Sequence, residues 1–242
     1  MAQTEIVLIL GSGPSVLRCR DWERAPFDAL VAINNAWAVR PDWDYLVYPE
    51  DMDRNRLPTD VSPAQTLIGA EAFVPAQNRF GGFVFAGGTM AFTTAYWVLH
   101  AMRPRVMAFL GCDMVYPAAA QTHFYGTGTA DPLRDDLSLR DLEAKSARLG
   151  LIAAAQGCAC VNLSDAVESR LVYPRSTPAD VLEAAPEEGF DTEAFDALRV
   201  REERLGYHTP TGRYWEEPER FDLDVLDDLD RAWRALYAHH FG

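Results

Sequence analysis

Three continuous apolar runs, residues 6–10, 29–33 and 106–110, constrain this chain more than any other feature. Each is followed at once by glycine or asparagine: Gly11, Asn34 and Gly111. An apolar run without polar alternation fits a strand covered on both faces, as in a parallel sheet. Residues 45–48, 66–68, 83–85 and 158–161 are weaker strand candidates. Helical stretches lie between them, clearest at 89–102, closed by Arg103-Pro104, and at 139–156, closed by Gly157. Strands alternating with helices imply an α/β chain with a doubly wound, mostly parallel sheet.

After residue 174 the texture changes. Pro178, Pro186, Pro210 and Pro218 punctuate an acidic segment with two helix-like pieces, 192–205 and 225–239. The second piece sets Leu226, Leu229, Trp233 and Leu236 at helical spacing, so one face docks while Asp227, Asp228 and Asp230 stay in solvent. The expected organisation is a Rossmann-like nucleotide-binding core over residues 1–175 and a helical, acidic C-terminal appendage over 176–242. Phe221, Trp233 and Tyr237 serve an intramolecular dock, a subunit contact in a homo-oligomer, or a lid. Acidic residues outnumber basic ones 36 to 22, a formal charge of -14, which opposes binding to a nucleic acid backbone. A single phosphate held locally by backbone N–H groups is compatible with that charge. Cys19, Cys112, Cys158 and Cys160 read as buried free thiols, with a metal site as the alternative. No apolar stretch approaches the roughly 20 residues of a membrane span, and Met1-Ala2-Gln3-Thr4-Glu5 carries no basic region. The expected location is the cytoplasm.

Glycines 11 and 13 let the backbone turn tightly and approach a ligand, and Pro14 suits a first helical position, where its missing N–H costs nothing. The turn Gly11-Ser12-Gly13-Pro14-Ser15 therefore either offers its amides to a phosphate or is tight for steric reasons alone. It is not a GxGxxG fingerprint, and there is no Walker lysine: Lys145, the only lysine, falls on a helix expected to face neither glycine turn. Asn34 and Asn35 close the second run at the sheet edge where ligands sit, with an Asx turn as the alternative. Gly87 and Gly88 bring backbone towards a second ligand edge, ahead of a helix that Thr89 caps. Asp113, after the third run, positions a hydroxyl or caps nearby amides. His123 lies in a polar loop, where it is either an inert surface histidine or, since an unperturbed pKa of about 6.5 suits the task, a general base, and Tyr116 or Tyr125 can donate to a departing phosphate. Glu50, Asp51 and Asp53 are metal ligands or a solvated acidic turn.

Together, Leu8-Ile9-Leu10-Gly11-Ser12-Gly13-Pro14-Ser15, Ala32-Ile33-Asn34-Asn35, Gly87-Gly88-Thr89 and Leu110-Gly111-Cys112-Asp113-Met114 resemble the bacterial sialyltransferases of the Campylobacter type and the related 6-hydroxymethylpterin diphosphokinase-like proteins. The resemblance spans residues 6–175. It implies a nucleotide-dependent transferase, first of all a CMP-sugar glycosyltransferase that requires no metal. On that reading Gly11, Ser12 and Gly13 hold phosphate, Asn34 and Gly88 orient the nucleoside, Asp113 positions an acceptor hydroxyl and His123 removes its proton. A second reading is an ATP-dependent diphosphokinase, with Mg²⁺ on Glu50, Asp51 and Asp53. A third is a non-catalytic nucleotide-binding protein. The chain departs from the sialyltransferases at Ser12, where they have asparagine, and at Gly87-Gly88, where they have Thr-Ser-Gly. It also has Asp135-Asp136-Leu137-Ser138 where their catalytic histidine precedes a helix.

Overall fold

The computed structural model describes residues 5–116, 121–126, 134–186 and 188–241; the reading of Met1 to Thr4 falls outside them. The strands are β1 (Ile6–Leu10), β2 (Ala29–Ile33), β3 (Tyr45–Val47), β4 (Thr66–Ile68), β5 (Val106–Leu110) and β6 (Ala159–Asn162). They form one sheet in the order β4-β3-β2-β1-β5-β6, and every pairing is parallel. The three long apolar runs are the adjacent trio β2, β1 and β5, each buried throughout.

Strand parity sorts the runs into two cores. Val7, Ile9, Val31, Met107 and Phe109 face one core with Cys158 and Cys160, covered by α1 (Ala70–Asn78), α3 (Met90–Ala101) and α4 (Leu142–Ala154). Ile6, Leu8, Leu10, Leu30, Ala108 and Leu110 face the other, covered by short 3-10 helices, Pro14–Asp21 and Asn34–Ala38, and by Val181. Apolar side chains on both faces of each strand are what remove the polar alternation from its sequence. The fold is α/β, Rossmann-like and doubly wound. All four cysteines are buried, and none is in a disulfide.

Residues 83–85, expected as a strand, instead open the short helix α2 (Phe83–Ala86). Glycines at positive φ bracket it, Gly81 and Gly82 before and Gly87 after, and the Ala86 and Gly87 amides donate to Gly82 and Phe83 carbonyls. Val84 and Phe85 point into a third cluster with Tyr207, Tyr214, Phe221 and Leu226. The C-terminal helices are α5 (Thr192–Leu205) and α6 (Leu223–Phe241). Trp233, Leu236 and Tyr237 of α6 lie against Ala147 and Leu151 of α4, so Phe221, Trp233 and Tyr237 are all buried within the chain. Asp230 departs from the expected solvated face: it is buried and accepts from Lys145 Nζ at 2.7 Å. Among the described residues, no helix is long and apolar enough to cross a membrane.

Candidate functional site at the carboxyl edge of the sheet

From β1 the chain steps outward through β2, β3 and β4, then returns to place β5 on the other side of β1. The carboxyl ends of β1 and β5 therefore flank the reversal point where open α/β sheets take their ligands. The turns leaving these two strands are in contact. Gly11 N–H donates to the Leu110 carbonyl and Gly13 N–H to the Gly111 carbonyl, both at 2.8 Å. A Cβ at Gly11 would collide with the Gly111 carbonyl, and one at Gly13 would lie 2.8 Å from the same oxygen. These glycines are thus required by the neighbouring turn. Their amides, expected to converge on an anion, are already used by β5. Pro14 does open a helix, the 3-10 turn Pro14–Asp21.

What the edge does gather is a cleft of about 210 Å³. Ser12 and Gly13 line it from β1, Asn34 and Asn35 from β2, and Thr89, Met90 and Ala91 from the start of α3. Asn34 has φ 52°, in the left-handed region that asparagine tolerates better than most residues. Its Oδ1 and Ser12 Oγ are shut off from solvent without a hydrogen-bond partner, a cost of about 1–3 kcal/mol for each. Thr89 caps α3 by accepting from the Phe92 amide at 3.3 Å, and the first-turn amides of a helix have no acceptor within it. The positive end of α3 consequently opens on the cleft.

His123, Tyr116 and Tyr125 complete the wall. The His123 loop is a tight hairpin in which His123 and Gly126 exchange both backbone bonds at 3.0 Å, and the Phe124 amide donates to the Ser12 carbonyl at 2.9 Å. His123 Nδ1 is 2.8 Å from Thr122 Oγ1. Its ring stacks on Tyr125 at 5.0 Å and lies 6.0 Å from Tyr116. Cys112 also lines the cleft, but burial pushes its thiol well above the usual range, which leaves it protonated and a poor nucleophile.

Five sequence candidates lie elsewhere or are otherwise engaged. Asp113 is a buried hub: Ser164 Oγ donates to its carboxylate at 2.6 Å, Ser15 Oγ and Asn162 Nδ2 at 3.3 Å, and Arg175 stands 3.8 Å away. It ties the ends of β1, β5 and β6 together. Gly87 and Gly88 face the interior, where a Cβ on Gly87 would meet Phe92 and Lys145, and one on Gly88 would meet the Ser138 and Tyr214 hydroxyls. Lys145 thus does approach a glycine turn, through its aliphatic stem. Of the acidic trio, Glu50 pairs with Arg213 and Asp53 caps the turn Arg54–Arg56, leaving Asp51 in the cleft. Among the described residues no group of three His, Cys, Asp or Glu side chains is placed to hold a metal ion.

The segment Asp135-Asp136-Leu137-Ser138 binds the tail. Asp136 accepts from Tyr214 OH at 2.8 Å and from Ser138 Oγ at 2.6 Å, and burial is the first cause that pushes the Tyr214 phenol up to about 12. Sequence reasoning passed over Arg56, which lines the cleft. The available signal for Arg56 was its place just past β3, in the loop at the same carboxyl edge. A larger cavity of about 1080 Å³ shares Gly13, Gly111, Met114 and Tyr116 with the cleft and extends to Asp141, Glu143 and Arg234. No family model matches this chain, and no curated protein or solved structure matches it either.

Proposed function

We propose that the chain is a nucleotide-dependent transferase whose nucleotide occupies the 210 Å³ cleft, with a CMP-sugar as donor and chemistry of the sialyltransferase kind. The observation that carries this reading is the meeting, at the reversal point of the sheet, of polar cleft-lining groups with a histidine and two tyrosines. Ser12, Asn34 and Asn35 supply donors and acceptors for a nucleoside, and the start of α3 favours the phosphate. With Nδ1–H of His123 donating to Thr122 Oγ1, Nε2 acts as general base. It takes the acceptor hydroxyl proton while that oxygen bonds to the anomeric carbon, and the bond from this carbon to the phosphate oxygen breaks, its electron pair leaving with CMP. Tyr116 and Tyr125 donate to that oxygen as charge develops. Asp113 steadies the turns through Ser15 and also lines the larger adjoining cavity, where it can position the acceptor hydroxyl. The larger adjoining cavity has room for a second substrate.

Calorimetric titration with CMP and with ATP, each with and without Mg²⁺, tests the reading. Metal-independent CMP binding supports it; ATP binding that requires Mg²⁺, with one carboxylate such as Asp51 and the phosphates as ligands, favours the diphosphokinase instead. Once a donor is found, His123→Ala is expected to lower turnover by about 10²- to 10⁴-fold and leave nucleotide affinity nearly intact. An unaltered rate removes His123 from the mechanism.

A further inference from the structure

The cleft has lost the Gly11 and Gly13 amides of its expected anion cradle, since they donate to Leu110 at the end of β5 and to Gly111 just after it. A phosphate there needs another partner, and Asp51 on the same wall opposes it. Arg56 is the one permanently cationic side chain among the described residues lining the cleft. Most arginines described in this chain are committed to carboxylates or carbonyls, as in Arg24–Asp44, Arg40–Asp42, Arg140–Asp227 and Arg148–Glu202. The Arg56 guanidinium forms no ion pair or hydrogen bond among the described residues, and it does not pair even with Asp51, five positions away. An unspent guanidinium beside an unspent carboxylate suits a ligand that carries an anion at one end and hydroxyls at the other.

The arginine is also held in place at its backbone. Asp53 caps the turn Arg54–Arg56 by accepting from the Asn55 amide at 2.9 Å, and the Arg56 amide donates to the Asp53 carbonyl at 2.8 Å. The Arg56 carbonyl accepts from Trp37 Nε1 at 2.9 Å. Trp37 belongs to the 3-10 helix that Asn34 begins, so the base of Arg56 is fixed relative to Asn34. We infer that Arg56 is the phosphate-binding residue of the cleft, acting opposite the first turn of α3. The ligand's anionic end then lies towards β3 and α3, not in the turn leaving β1. This inference rests on the nucleotide reading of the same cleft and gives that ligand a direction. A guanidinium with its five donors suits a phosphate's oxygens better than a lysine ammonium does.

The test is calorimetric titration of the full chain and of Arg56→Ala and Arg56→Lys with CMP, cytidine and inorganic phosphate. Arg56 is exposed and makes no side-chain bond among the described residues, so both variants should melt as the parent does. The expected result is that Arg56→Ala binds CMP at least about tenfold more weakly, the low end for a hydrogen bond to a charged group. Its cytidine affinity should stay within about twofold, and Arg56→Lys should recover part of the CMP loss. Equal CMP affinity in the parent and Arg56→Ala overturns the inference while leaving the nucleotide reading intact. Binding of inorganic phosphate by the parent, lost in Arg56→Ala and without CMP binding, keeps Arg56 and discards the nucleotide. A parent that binds none of the three discards both.

Discussion

Gly88 is glycine because two hydroxyls occupy the space a side chain would need: a Cβ there would lie 2.5 Å from Ser138 Oγ and 2.8 Å from Tyr214 OH. Gly88→Ala is expected to destabilise the fold by about 1–3 kcal/mol through overpacking, read as a lower midpoint in denaturant. No effect there would mean the tail segment is not seated on Ser138. Charge can be argued at the same scale through Arg40, a buried guanidinium bonded to both carboxylate oxygens of Asp42 at 2.7 Å. The Arg40 hydrogen bond holds the Asp42 carboxyl below its ordinary value, with burial opposing. A depressed carboxylate stabilises the folded state above the unfolded pKa, of about 3.9, and that contribution is lost as pH falls through the lower folded value. The melting temperature of Asp42→Asn should therefore lie below the parent's near neutral pH, with the gap closing in acid. A gap that stays constant with pH would contradict this.

These residues also mark the limit of what the sequence reveals. The glycines at 11 and 13 were legible as a tight turn. Where their amides point was not, because the same Gly-x-Gly serves a ligand or a neighbouring strand, and the acceptors Leu110 and Gly111 lie about a hundred positions away in the chain.

At the scale of elements, α4 shows how far charge can mislead. Lys145 and Arg148 lie on its buried face, and each is answered from the tail, Lys145 by Asp230 of α6 and Arg148 by Glu202 of α5. Arg148 also donates to Tyr96 OH at 2.6 Å and to the Phe80 carbonyl, while Trp233 Nε1 donates to Glu202 Oε1 at 2.9 Å. Burial opposes the Arg148 charge, but Glu202 and Tyr96 hold it protonated. Glu202→Ala would strand that cation in the interior and should cost about 3–5 kcal/mol, seen as a lower denaturant midpoint at unchanged slope. A loss below about 1 kcal/mol would place the pair among surface bridges of little worth. The apolar spacing of Leu226, Leu229, Trp233 and Leu236 did disclose the docking face of α6. Its acidic partner Asp230 did not stand out, because a carboxylate on a helix reads as solvated until its cation is known. The misreading of 83–85 has a similar cause: three apolar residues fit a strand or a buried helical turn, and the flanking glycines choose between them.

For the whole molecule, the two buried pairs make the C-terminal helices part of the fold. A chain ended at residue 175 would leave Lys145 and Arg148 without their carboxylates and strip apolar cover from α4 and α2. It is expected to lose cooperative unfolding and to bind a hydrophobic dye; a sharp thermal transition in that truncated chain would show the core to be independent. The α/β class was legible from three buried runs and the helices between them. The strand order was not, and it is the order that brings the ends of β1 and β5 to the reversal point and sets His123 and Asn34 on one cleft.

An NMR titration of the isotope-labelled full chain with CMP tests that arrangement most directly. Shifts that saturate together at the amides of Asn34, Asn35, Met90 and Ala91 and at the His123 ring are the predicted result. Shifts absent from those positions, or confined to the larger cavity around Asp141 and Glu143, would contradict it.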